Sequence, residues 1–146
     1  MDRQHEAVDR RVLIVDDDAN IRDGLVKLIN SAGYSAIGVP DVHLAYRELE
    51  DKPFDVMITD ILMPLENGLS LIQEARWADG DLKIIALSGG GNTAGIALLE
   101  VAKRLGAHRA IRKPASNDQI LKAISDLTSQ DQQFAASNSI TQREEG

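Results

Sequence analysis

There is no cysteine in this chain, so it can form no disulfide, no thiolate metal site and no cysteine nucleophile. Aromatic residues are scarce, two Phe, two Tyr and one Trp, and the core must be aliphatic. No apolar run approaches the roughly 20 residues that span a bilayer. The stretch from Met1 to Arg11 is polar and mixed in charge, without the apolar segment of a signal peptide. A cytoplasmic protein with no membrane insertion is the expectation. Positive charge is short too: 16 Lys and Arg against 23 Asp and Glu leave a net charge of -7. That balance argues against direct nucleic-acid binding, which leans on neutralising phosphates. Neither phosphate-loop pattern, G-x-G-x-x-G or G-x-x-x-x-G-K-S/T, occurs.

What remains is an ordinary globular composition, 43% hydrophobic and 27% charged over 146 residues, which suits one domain. Four short apolar runs each end in polar residues: Val12–Val15 into Asp16 and Asp17, Phe54–Thr59 into Asp60, Ile84–Leu87 into Ser88, and Ala110–Arg112 into Lys113 and Pro114. Such runs read as buried parallel strands, and in open α/β sheets ligands gather at the strands' carboxyl ends. Tyr34–Val39 supplies a further strand.

Helical patterns fill the intervals. Asp18 can cap a helix from Ala19 to Ala32 with Ile21, Leu25, Leu28 and Ile29 on one face, stopped at Gly33. Asp41 opens a second, with Val42, Ala45, Tyr46 and Leu49 inward. Met63-Pro64 breaks regular structure before a third over Gly68–Ala78, with Leu69, Ile72 and Ala75 inward. Gly89–Gly91 forms a loop before a fourth, Thr93–Leu105. Ser116 or Asn117 caps the last, whose face is Ile120, Leu121, Ile124 and Leu127. Strands alternating with helices imply a parallel sheet through right-handed crossovers, covered on both faces. The layout is a polar extension over 1–10, one domain over 11–127, and a polar segment over 128–146. That last segment lacks the apolar surface to offset its ordering entropy. It reads as a disordered tail, or as a partner-binding segment anchored by Phe134 and Ile140.

The strand ends bring three carboxylates, a hydroxyl and an ammonium toward one point. Three acids together raise one another's pKa, a penalty that a divalent cation removes. Magnesium takes oxygen ligands and keeps several waters, so one Asp of the 16–17 pair can ligate while the other holds a bound water. Aspartate is a known nucleophile toward phosphorus. Taken singly, Lys113 suits a surface turn and Ser88 a loop start. Capping by Asp18 leaves Asp16 and Asp17 without a structural role, and the joint occurrence favours a site.

The segments Leu13-Ile14-Val15-Asp16-Asp17-Asp18, Asp55–Pro64 with Gly68, Ala86-Leu87-Ser88 and Arg112-Lys113-Pro114 closely resemble the receiver domain of two-component response regulators. The resemblance implies a doubly wound, flavodoxin-like α/β fold with five parallel strands in the order 2-1-3-4-5. It implies Asp60 as phosphoacceptor for a histidine kinase or phosphotransfer protein. Asp16, Asp17, Asp60 and the backbone carbonyl of Leu62 would hold Mg2+, Ser88 would be the switch hydroxyl, and Lys113 would contact phosphate. Two positions depart from the family's habit: Ala110 stands for the usual switch Tyr or Phe, and Ala115 for a common Phe. An altered readout through the Gly89–Gly91 loop and the helix after it is therefore expected.

A stand-alone signalling receiver is expected, since roughly 19 residues after Leu127 leave no room for a DNA-binding output domain. The alternative is a receiver-like interaction module that works without phosphorylation. An enzyme is not expected: a haloacid-dehalogenase-type phosphatase would want Asp two residues after Asp60, where Leu62 stands.

Overall fold

Side-chain caps start the helices where the sequence places them. In the computed structural model, which describes residues 10–63, 66–89 and 93–129, β1 (Arg11–Val15) leads into α1 (Ala19–Ser31). The Asp18 carboxylate accepts from the amides of Asn20 and Ile21 at 2.9 and 3.2 Å, satisfying donors that the first turn leaves free. Beyond α1, Gly33 has φ +102, a conformation that side chains rarely adopt. β2 (Ser35–Val39) is followed by α2 (Val42–Asp51), capped by Asp41. β3 (Val56–Asp60) runs into two-residue strands, β4 (Leu62–Met63) and β5 (Glu66–Asn67). Asn67 then caps α3 (Gly68–Ala78). β6 (Lys83–Ser88), α4 (Thr93–Leu105) and β7 (Arg109–Arg112) follow. The last helix, α5, covers 117–129. Ser116 and Gln119 cap it reciprocally, each side chain accepting from the other's amide at 3.1 and 2.9 Å.

The large sheet runs β2-β1-β3-β6-β7, parallel throughout. Leaving aside the β4–β5 ribbon, this is the expected order 2-1-3-4-5. The ribbon is a departure: Met63 pairs with Glu66 where a break in regular structure was expected. Two-residue strands carry no periodicity, and this one exists because the chain reverses between Asp60 and the cap of α3. In α3 the buried stripe is Gly68, Leu71, Ile72 and Ala75, with Leu69 only partly buried. Leu71 takes the inward position expected of Leu69, since the 68, 71, 72, 75 spacing defines the face.

Alternation along the strands splits the core. Leu13, Val15, Met57, Ile84 and Ala86 pack beneath α2, α3 and α4. Val12, Ile14, Val56, Ile58, Ile85 and Leu87 pack beneath α1 and α5. Burial on both faces is why these strands read as unbroken apolar runs. α5 continues past Leu127, where the apolar pattern stops, and Thr128 is buried with its hydroxyl donating to the Ile124 carbonyl at 2.9 Å. Residues 1–9 and 130–146, with Phe134 and Ile140, lie outside the described residues, as do Pro64, Gly90 and Gly91. No helix among the described residues is long and apolar enough to cross a membrane.

Candidate functional site

Sheet register assembles the site. Val15 pairs with Thr59 and Asp60 pairs with Leu87, so Asp16, Asp60 and the end of β6 emerge level with one another. Ser88 pairs with Arg112, which sets Lys113 one step beyond. Period-two alternation continues Val12 and Ile14 to Asp16, Val56 and Ile58 to Asp60, and Ile111 to Lys113, all toward the α1–α5 side. The strand order reverses between β1 and β3, and that switch point is where open α/β sheets bind ligands.

Lys113 ties the two buried acids together. Its Nζ lies 3.1 Å from Asp16 Oδ2 and 3.2 Å from Asp60 Oδ2, with Asp16 1% and Asp60 5% exposed. The other Asp16 oxygen accepts from the Asp18 amide at 3.0 Å, and the Asp16 carbonyl accepts from Arg22 Nη1 at 2.9 Å. Asp16 is thus held from three directions. Burial keeps the Asp60 carboxyl above its ordinary value, with Asp16 and Asp17 pushing the same way and Lys113 opposing. Burial alone would lower the Lys113 ammonium, but the Asp60 and Asp16 carboxylates outweigh it and hold it above its ordinary value.

The donor set fits a hard cation. One carboxylate oxygen each from Asp16, Asp17 and Asp60 lies within 4.8 Å of the others. All are oxygens, two residues are buried, and Asp17 is exposed, so water can fill the remaining positions as Mg2+ prefers.

Ser88 is 1% exposed at the end of β6, and its hydroxyl donates to the Gly89 carbonyl at 3.3 Å. Leu62 sits in β4 with its side chain 56% exposed. The preceding residue is pinned on both sides: the Ile61 amide donates to the Leu87 carbonyl, and the Ile61 carbonyl accepts from the Gly68 amide, both at 2.9 Å. Ala110 packs against the core beneath α2–α4 and Ala115 against the core beneath α1 and α5. Ala115 also lines a cavity of about 420 Å³ with Ile21, Leu25, Ile120 and the Lys113 stem.

Three residues support the site without a role assigned to them from the sequence, although Thr59 and Gly68 stand within the matching motif. Arg22 steadies the Asp16 backbone from a position that reads as ordinary helix surface. Thr59, fully buried, donates its hydroxyl to the Asp60 carbonyl at 3.0 Å. Gly68 lies so close beneath the turn after β3 that a methyl group there would overlap the Asp60 carbonyl and sit 2.9 Å from Ile61 Cα.

Comparison with known proteins decides the family. The model for the response regulator receiver domain matches residues 12–125. This chain belongs to that family. The receiver domain is 38% identical over 80 residues to the response regulator receiver protein CpdR of Brucella abortus, covering 55% of this chain and 67% of that protein. It is 35% identical over 123 residues to the chemotaxis protein CheY of Thermotoga maritima, covering 82% of this chain and 98% of CheY. A solved response regulator receiver protein from Pseudomonas putida superposes with a TM-score of 0.74 at 29% identity, covering 82% of this chain and 98% of that one. Other matched regulators are longer, and the receiver spans 45% of RprY of Bacteroides fragilis. Its relatives are response regulators of two-component systems, and its acidic pocket of Asp16, Asp17 and Asp60 suits a metal ion.

Proposed function

We propose that this receiver accepts a phosphoryl group onto Asp60 from the phosphohistidine of a kinase or phosphotransfer protein, with Mg2+ held by Asp16, Asp17, Asp60 and the Leu62 carbonyl. The observation that carries this reading is the Lys113 ammonium bridging Asp16 and Asp60 beside three carboxylate oxygens within 4.8 Å. A carboxylate oxygen of Asp60 attacks phosphorus, the donor's N–P bond breaks, and the electron pair returns to the imidazole nitrogen. Bound Mg2+ supplies positive charge for the phosphoryl oxygens. Lys113 then exchanges its contact with Asp60 for one with a phosphoryl oxygen, and the Ser88 hydroxyl turns from the Gly89 carbonyl to donate to another.

The group stays covalently held, so the domain acts as an acceptor and not as a turnover enzyme. Residues 11–127 form the module, with 1–10 and 128–146 as polar flanks, and its place is the cytoplasm. Ala110 cannot supply an aromatic flip, and the signal leaves through the Gly89–Gly91 loop and α4. Amide shifts in that loop on adding a phosphoryl mimic test this route; a silent loop excludes it.

The decisive experiment is incubation with Mg2+ and acetyl phosphate. A labile mass gain of one phosphoryl group, abolished in Asp60→Asn, is expected. No gain in the parent protein would favour the phosphorylation-independent interaction module.

A further inference from the structure

At the end of the sheet opposite the carboxylates, α2 and α3 frame an apolar groove that phosphoryl transfer does not use. It consists of two cavities, about 220 and 310 Å³, which share Leu49, Ala75 and Ala78. Phe54 and Leu82 deepen one, and Tyr46 the other. Glu50, Glu74 and Asp79 stand along the groove. Lys52, the one cation among the groove's described lining residues, pairs with Glu48 at 3.2 Å. Trp77, the chain's single tryptophan, is 85% exposed three residues along α3 from Glu74.

At the end of α2 the charges run against the helix dipole. α2 and α3 both end at this groove, where unsatisfied carbonyls give a partial negative charge that favours cations. α2 has no basic residue in its last turn and carries Glu48, Glu50 and Asp51 there. In α3 the last-turn cation, Arg76, donates to the Gly80 and Gly106 carbonyls at 2.7 and 2.8 Å. Arg47, on the outer side of α2, is set against Glu48, Glu50 and Asp51 around it. An apolar floor, an acidic rim and the uncompensated negative end of α2 are jointly complementary to one chemistry. From this we infer that the α2–α3 groove docks a basic amphipathic peptide segment of a partner, its apolar side chains on Leu49 and Ala78 and its cations against Glu50 and Glu74.

Trp77 is the reporter. A synthetic helical peptide with a leucine stripe flanked by arginines is titrated into the full chain, alongside a version with glutamates for the arginines. The arginine peptide is expected to bind one per chain and move Trp77 emission to the blue, while the glutamate version does neither. Glu50→Lys with Glu74→Lys weakens binding about tenfold or more. Asp23→Lys, on the far side of the sheet, leaves affinity unchanged, and all variants still accept phosphate from acetyl phosphate. Should the double reversal fail to fold, Glu50→Gln with Glu74→Gln makes the same comparison. An unmoved emission, or equal weakening by Asp23→Lys, overturns the inference. So does a blue shift that grows with protein concentration alone, which would assign the groove to a second copy of this chain.

Discussion

The Lys113 ammonium sits 3.2 Å from the Asp60 carboxylate, and each favours the other's charged form, which outweighs burial at Lys113 but not at Asp60. Lys113 also reaches Asp16 at 3.1 Å, so one cation compensates two buried acids. Removing it leaves both without a positive partner. Lys113→Met is expected to lower the stability of the metal-free domain by about 2–3 kcal/mol at neutral pH, read by urea titration. Magnesium should restore part of the loss. In the parent, the contribution of Lys113 is fully present below the ordinary lysine value of 10.5 and is lost as pH rises through its raised folded value.

Asp60 titrates with the opposite consequence. Its folded value lies above 3.8, so the folded state binds the proton more tightly than the unfolded one, and ionising it costs stability as pH rises through that window. Without metal, Asp60→Asn is expected to be more stable than the parent by on the order of 1 kcal/mol at pH 7. The advantage should vanish below about pH 3.8 and shrink when Mg2+ is added. Paired melts across pH, with and without the ion, measure it; a gap independent of pH would contradict the assignment.

Gly68 tests the backbone rather than the charges. A methyl group there collides with the Asp60 carbonyl and crowds Ile61, neither of which can move without shifting the Asp60 carboxylate. Gly68→Ala is expected to cost about 2–3 kcal/mol and to weaken Mg2+ binding, because overpacking displaces the loop that carries Asp60. Calorimetric titration with Mg2+ reads the second effect.

Ala115 borders unfilled space. Ala115→Phe is expected to raise stability by about 0.5–1.5 kcal/mol by burying a ring against Ile21, Leu25 and Ile120. Acceptance of phosphate from acetyl phosphate should persist, since no charged group of the site changes. A lower melting temperature would show that the cavity cannot take the ring.

Much of this was legible in order along the chain. Asp16, Asp17, Asp60, Ser88 and Lys113 each follow an apolar run directly, so a strand end and a chemical group coincide in the sequence. Asp18 and Asp41 announce their helices by the same local logic. Arg22 was not legible as part of the site, and Thr59 and Gly68 stood within the matching motif without a role assigned to them. The first acts through a hydrogen bond to a carbonyl, the second through a buried hydroxyl, and the third through the absence of a side chain. None of these three mechanisms shows in residue type alone.

The sequence by itself determined the elements and the residues at their ends, because caps and periodicity act within a turn or a strand. Tertiary structure alone decided that Lys113 touches both Asp16 and Asp60, and that α2 and α3 enclose an acidic, apolar groove. Those contacts join residues far apart in the chain, and they depend on strand register and crossover. A local pattern contains neither.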